Sequence, residues 1–206
     1  MRKPASVRAL EAFGRVRLSE SFFMRDFLYS EIAAINGFAN LPDDPELAIA
    51  AGKMLCETLL EPLQARFGRI SIRSAYRSPG VNQFGNEHDL NCATNPKNYA
   101  GHIWDRRNAD GCMGATACVI VNRFIPYYER TGDWEAMAWW VHDHLPYSDM
   151  EFFPKFSAFN LQWQEAPART IYSFIPPRRG RLTGPGQENW AGMHEAAYAA
   201  MLGETG

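Results

Sequence analysis

The sequence predicts an α+β domain in which N-terminal helices pack on a small, mainly antiparallel sheet. Apolar residues recur at helical spacing in two stretches, 45–67 and 133–145. Residues 69–73 and 169–175 instead alternate apolar and polar side chains, which is typical of half-buried strands. A continuous apolar run, 115–121, indicates a further strand that is buried. With 206 residues and 46% apolar content, the chain is able to bury a substantial core.

The first elements are predicted to be helices. One is expected over 21–36, with Gly37 placed to end it. A second is expected over 45–67, where Pro62 either kinks the helix or begins a new first turn. Residues 83–99 are rich in asparagine and are expected to form a long loop, and such loops are usually functional or mobile.

The strand at 70–72 leads to the most informative stretch of the chain. Ser78, Pro79 and Gly80 are expected to stop it, so that Tyr76 and Arg77 lie at an edge of the sheet. An arginine there suits the capture of a carboxylate through two parallel hydrogen bonds. The alternative is that Arg77 pairs with an internal acid and Tyr76 is part of the core.

The remaining elements follow the same logic. Residues 133–145 predict a helix with core tryptophans, and Glu151 enters an aromatic-rich strand region. Residues 169–175 predict an edge strand, 176–181 a basic turn bounded by prolines, and 189–202 a modest helix rich in alanine.

Several segments occur in the order in which zinc D-Ala-D-Ala carboxypeptidases carry them. They read LSESFFMRDFL at 18–28, LEPL at 60–63, FG at 67–68 and SAYRSPGVN at 74–82. Over roughly residues 18–165 the chain resembles this family, whose fold is shared with vancomycin-resistance dipeptidases, some phage endolysins and the hedgehog signalling domain. The resemblance implies a hedgehog/DD-peptidase-like domain at 18–166, between an N-terminal arm at 1–17 and a C-terminal extension at 167–206. It also implies that Tyr76 and Arg77 bind substrate.

The metal motif of the family is altered in this chain. The family holds zinc with a histidine, an aspartate that follows a glycine and an alanine, and a distant second histidine, leaving one position for water. A register that starts at His88 places asparagine where the aspartate should stand, and a neutral amide is a poor zinc ligand. We prefer the alignment of the motif that starts at His102 and continues, after a polar insertion, at Gly114. This alignment places Cys118 at the position of the carboxylate ligand.

The ligand set in this register stays open. A lone cysteine in an apolar run is more often a small buried hydrophobe than a ligand, so Asp105 and Asp110 are alternatives. The resemblance leads us to expect zinc held partly by His102 and Asp110. Asn160 stands where the family has its last histidine.

Two further histidines and one glutamate bear on the same chemistry. His142 and His144 lie upstream of the last-histidine position, but residues two apart on a helix face different directions. Glu151 is expected to act as the general base for an attacking water or, alternatively, to pair with an arginine such as Arg77.

Composition narrows the function classes. A formal charge of −2 and a pI near 6.2 weigh against a sequence-general nucleic-acid binder. No apolar run has the length of a membrane helix or an export signal, so a cytoplasmic product is expected, compatible with release by lysis or carriage in a phage-like particle. Four cysteines without CxxC spacing argue against a structural zinc finger and are expected to be thiols, although a bridge from Cys112 to Cys92 or Cys118 stays open.

Two hypotheses follow. The first is a metal-dependent peptidoglycan-peptide hydrolase of the carboxypeptidase or endopeptidase type. The second is a non-catalytic peptidoglycan-binding or structural component with a degenerate metal site on the same fold. In both, the partner is a peptide that bears a carboxylate.

Overall fold

A computed structural model describes residues 2–205 and shows one six-stranded mixed sheet with helices around it, which confirms the α+β class. In spatial order the strands are β1 (Ile70–Ser74), β2 (Gly114–Val121), β4 (Phe159–Gln164), β3 (Asp149–Phe152), β5 (Thr170–Ser173) and β6 (Gly180–Thr183). Neighbouring strands run antiparallel except β3 and β5, which are parallel.

The helices occupy the N-terminal half, the connections between strands and the C-terminal end of the described chain. They are α1 (Val7–Gly14), α2 (Glu31–Asn36), α3 (Pro45–Leu55), α4 (Glu61–Phe67), α5 (Pro79–Glu87), α6 (Asn95–Asn98), α7 (Ile125–Thr131), α8 (Glu135–His144) and α9 (Glu195–Thr205). The helix predicted over 45–67 is confirmed as α3 and α4 joined by a π-helical turn, Cys56–Leu60. Pro62 lies in the first turn of α4, directly after the π-helical turn.

Two local predictions were wrong. The single helix predicted over 21–36 is a short 3₁₀ turn, Met24–Phe27, followed by α2, because Ser30 caps a new helix by accepting a hydrogen bond from the Ala33 amide. The loop predicted over 83–99 instead contains the end of α5 and the short α6. Ser78 and Pro79 therefore do more than end β1, because the Ser78 hydroxyl caps α5 and proline occupies its first turn.

The two faces of the sheet differ in polarity because side chains alternate along each strand. In β4, Phe159, Leu161 and Trp163 are buried in the core, while the residues between them are polar and half-buried. The apolar face packs on α3, which contacts both β2 and β4. The polar face is left to form the floor of a cleft.

The C-terminal extension is part of the same sheet and core. Residues 169–175 were predicted to be an edge strand, but β5 lies between β3 and β6, and β6 occupies the edge. Helix α9 packs on α8 and buries Tyr198 and Met201. All four cysteines are free thiols. Across residues 2–205, no helix is both long and apolar enough to cross a membrane.

Candidate functional site

A cleft of about 990 Å³ lies on the polar face of the sheet. Its floor is formed by alternate residues of the central strands, which the two-residue period brings to one face: Thr116, Cys118, Glu151, Asn160 and Gln162. Residues 73–77, 90–102 and 29–32 contribute to its walls. The cleft therefore gathers most of the polar side chains that the sequence singled out.

The wall segment that follows β1 is fixed by Asn40. Its side-chain nitrogen donates to the carbonyls of Leu28 and Tyr76, at 2.9 Å each, and its oxygen accepts from the Ser78 amide at 2.7 Å. The Arg77 amide donates to the His102 carbonyl at 2.8 Å. These bonds tie the backbone of residues 76–78 to the buried Asn40 side chain and to the His102 carbonyl.

His102 is buried at the base of this wall. Its Nδ1 lies 2.7 Å from the Ala75 carbonyl oxygen, which can only accept, so Nδ1 carries the proton and Nε2 is left as an acceptor. The Asn160 side chain lies beside the ring. Burial, together with the positive charge of Arg77, lowers the pKa of His102 to about 3. The imidazole is therefore neutral at physiological pH.

The positions that the resemblance assigned to zinc ligands do converge. Cys118 and Asn160 are direct partners across β2 and β4, and Glu151 faces Asn160 across β3 and β4. The Asn160 amide nitrogen donates to a Glu151 carboxylate oxygen at 2.8 Å. Asn160 thus hydrogen-bonds to Glu151 and lies beside His102 in the cleft.

The donor set at this point does not fit a catalytic zinc. Asn160 presents a neutral amide, which is a poor zinc ligand. Burial raises the pKa of Cys118, which opposes formation of the thiolate that binds metal, although Arg73 partly offsets this effect. Within residues 2–205, His102 belongs to no group of three His, Cys, Asp or Glu side chains with ligand atoms within 4.8 Å of one another.

The structure does not bring Asp110 to His102. Asp110 is exposed on the insertion before β2, it is not among the cleft residues, and its amide donates to Asn108. The alternative carboxylate, Asp105, is buried, and it accepts hydrogen bonds from the Asp43 amide at 2.7 Å and from the Tyr76 hydroxyl at 3.2 Å. Neither carboxylate is placed to complete a metal site in the cleft.

Tyr76 and Arg77 are adjacent in sequence but differ in what they offer to a ligand. The Tyr76 side chain is fully buried and its hydroxyl is held by Asp105. Burial and the Asp105 charge raise its pKa far above the usual value. Tyr76 therefore supplies a wall of the cleft and no free hydroxyl. It matches the alternative in which this tyrosine is part of the core.

Arg77 has no acidic partner in the part of the chain that the structure describes. Within residues 2–205, its half-buried guanidinium makes one side-chain hydrogen bond, a weak one to the Cys92 sulfur at 3.4 Å. No carboxylate oxygen within residues 2–205 lies within the 4.0 Å of an ion pair, so the alternative in which Arg77 pairs with Glu151 does not hold. Among the described residues, no acidic side chain directly compensates the charge of this guanidinium in the cleft.

An aromatic rim was missed at the sequence level. Tyr172 and Phe174 line the cleft with 42% of each side chain exposed, and Phe174 stacks on Phe153 with ring centroids 5.5 Å apart. The signal was present, since the two-residue period of 169–175 places Tyr172 and Phe174 on one face and Ile171 on the other.

A separate group outside the cleft could hold a metal ion. His142 and Asp143 in the last turn of α8 and His194 just before α9 each offer a ligand atom, and these atoms lie within 4.8 Å of one another. His144, the other histidine considered at this helix end, is not in the group, because its ring stacks on Trp140. His194 follows His142 by about fifty residues in no recognisable motif, so sequence spacing gave no signal for it.

Comparison of the chain with models of protein families, with curated proteins and with solved structures finds no match. The chemistry of the cleft itself therefore carries the case for a function.

Proposed function

We propose that the cleft binds a peptide with a free carboxylate, of the kind found in peptidoglycan, and does not hydrolyse it. The observation that carries the proposal is the Arg77 guanidinium, which lies in the cleft without a carboxylate partner among the described residues. A buried or half-buried arginine is normally paired, because an uncompensated charge is costly to desolvate. A ligand carboxylate would supply the missing partner through two parallel hydrogen bonds.

The backbone around Arg77 is suited to such a role. Residues 76–78 are held by Asn40 and by the His102 carbonyl, so the guanidinium emerges from a fixed segment. A preorganised donor loses less conformational entropy when it binds than a mobile one. Arg73 and Lys97 line the same cleft and add positive charge. Together they favour an anionic end of a ligand.

The rest of the cleft suits a peptide longer than the carboxylate alone. Glu31 and Glu151 also line it and can accept hydrogen bonds from amide or amino groups of a ligand. Tyr172 and Phe174 expose rings that would bury apolar or sugar surface. Charge of both signs and an aromatic rim are what a short peptide with a polar backbone requires.

The donor set at His102 supports binding without hydrolysis. In the zinc peptidases that the chain resembles, a carboxylate and a second imidazole stand where this chain has Cys118 and Asn160. With an amide in one ligand position and a protonated, buried thiol in the other, the site lacks the ligands that would hold a metal-activated water, and Glu151 has no nucleophile to deprotonate. The convergence of His102, Cys118 and Asn160 supports the proposal that the domain has a hedgehog/DD-peptidase-like fold with a degenerate site.

The test is a binding measurement by calorimetry with acetyl-L-Lys-D-Ala-D-Ala, for the wild type, Arg77→Met and Arg8→Met. Arg8 is an exposed arginine of α1 outside the cleft and serves as the matched control. Hydrogen bonds to a charged group contribute about 1.5–3 kcal/mol, so Arg77→Met is expected to weaken binding by roughly 10- to 100-fold. Arg8→Met should bind as the wild type does.

A C-terminally amidated peptide completes the design. The amidated peptide should bind the wild type as weakly as the free acid binds Arg77→Met. The substitution Arg77→Met should not weaken binding of the amidated peptide any further. Chromatography of the incubated peptide should show no loss of D-alanine. Absence of binding to the wild type would overturn the proposal, whereas release of D-alanine would overturn its non-catalytic part and favour the hydrolase hypothesis.

A further inference from the structure

We infer that His142, Asp143 and His194 form a structural zinc site that fastens the C-terminal segment to α8. The site lies outside the cleft and is independent of the function proposed for it. Two imidazoles and one carboxylate are a donor set that zinc prefers, with a fourth position for water or another oxygen. The three ligand atoms lie within 4.8 Å of one another.

The outer nitrogens of both rings are already held in the way metal-bound histidines usually are. His142 Nε2 lies 2.9 Å from the Trp190 carbonyl oxygen, and His194 Nε2 lies 3.0 Å from the Asn189 carbonyl oxygen. A carbonyl only accepts, so both Nε2 atoms carry protons. Metal-ligating histidines almost always donate their second nitrogen to a carbonyl or carboxylate, which orients the ring. The Nδ1 atoms are thereby left as the ligand atoms.

The inner side of the group is tightly closed. His194 Nδ1 lies 2.7 Å from one oxygen of Asp143, and the other oxygen of that carboxylate accepts from the His194 amide at 2.6 Å. His142 Nδ1 lies 2.6 Å from the Tyr147 hydroxyl. A tetrahedral zinc with bonds of about 2.0–2.2 Å spaces its ligands by roughly 3.3–3.6 Å, so the ion requires shifts of about 1 Å.

Burial strengthens the case for a cation between these groups. The Asp143 side chain is completely excluded from solvent. A buried carboxylate needs a counter-charge, which either zinc or a doubly protonated His194 supplies. The Trp139 ring stacks on His194 with centroids 4.1 Å apart and limits its rotation. Zinc satisfies all three ligands at once, whereas a proton on His194 leaves His142 outside the ion pair.

The consequence is a fastening between two distant parts of the chain. His142 and Asp143 belong to α8, whereas His194 precedes α9, the final helix. Helix α9 otherwise has little amphipathic character and buries mainly Tyr198 and Met201 on the described chain. A metal bound only by the folded state stabilises it by mass action, so removal of zinc should loosen this segment first.

The test is elemental analysis of protein purified without a histidine tag or added metal. The variants are Asp143→Asn and His194→Gln, and His144→Gln is the matched control because it lies at the same helix end outside the group. We expect close to one zinc per chain in the wild type and in His144→Gln, and at least a tenfold loss in the other two variants. His102→Asn should also keep its zinc, which separates this site from the cleft.

A second measurement uses the wild type alone, in case the variants fail to fold. After dialysis against a chelator, added Zn²⁺ is expected to raise the thermal midpoint by roughly 5–10 °C. Co²⁺ in its place should give the visible absorption bands of a four-coordinate ion. Absence of zinc, of the thermal shift and of the cobalt bands would overturn the inference and leave an imidazolium–carboxylate pair. Zinc lost in His102→Asn but kept in His194→Gln would overturn it too.

Discussion

Replacement of His102 by asparagine is expected to remove a large part of the acid sensitivity of this fold. Burial and the Arg77 charge lower the pKa of His102 from 6.5 to about 3 in the folded chain. Between these two values the unfolded state binds a proton that the folded state excludes, so stability is fully present above pH 6.5 and falls as the pH drops toward 3. Asparagine can still donate to the Ala75 carbonyl, but it does not titrate.

The magnitude follows from linkage. At pH 5 an unfolded histidine with a pKa of 6.5 is almost fully protonated, and this protonation favours unfolding by about 2 kcal/mol. In the folded state His102 binds almost no proton at pH 5, so protonation there offsets almost none of this free energy. The wild type is therefore expected to lose about 2 kcal/mol more than His102→Asn between about pH 7.5 and pH 5. The smaller side chain of the variant leaves a cavity, but the cost of that cavity is independent of pH and does not enter the difference between the two losses.

The assay is urea unfolding of both proteins at the two pH values. The quantity of interest is the difference between their losses of unfolding free energy, because all other titrating groups, including the buried His142, are common to both proteins. His88→Asn is the control, since the His88 ring is exposed at the end of α5. Equal losses in the wild type and in His102→Asn would refute the assignment of a neutral, buried imidazole at this position.

Two further predictions concern the sheet and its cleft. In β2, a Cβ atom on Gly114 would lie 2.3 Å from a backbone carbonyl oxygen. Thermal unfolding should therefore show that Gly114→Ala costs about 3 kcal/mol of stability or prevents folding. The control is Gly80→Ala, whose Cβ would meet nothing within 4 Å and which should be neutral or slightly stabilising. The double variant Cys118→Asp, Asn160→His should gain one zinc per chain over the wild type by elemental analysis, because it adds a carboxylate and an imidazole beside His102. An unchanged metal content would show that the cleft geometry, and not its residue types, prevents binding.

The fold class could be predicted because it depends on local periodicity, whereas Cys118 and Asn160 on the floor of the cleft were singled out by the resemblance. The resemblance placed Asn160 in its strand, and the aromatic residues beside Glu151, which favour strands, indicated a strand there. The helix over 45–67 was predictable from the helical spacing of its apolar residues. The prediction failed at 21–36, where the Phe27 carbonyl accepts from the Tyr76 amide and the chain leaves helical geometry to make that contact.

The sequence by itself determined the α+β class and the strand that precedes Arg77, because short-range periodicity and turn residues encode these features. Only the tertiary structure decided that Asp110 lies outside the cleft, that the Tyr76 hydroxyl is held by Asp105 and that Arg77 lacks an acidic partner among the described residues. It also brought His194 to Asp143. The reason is that such contacts join residues tens of positions apart in the sequence. Whether these residues meet depends on how the helices and the sheet pack, and no repeating pattern in the sequence records it.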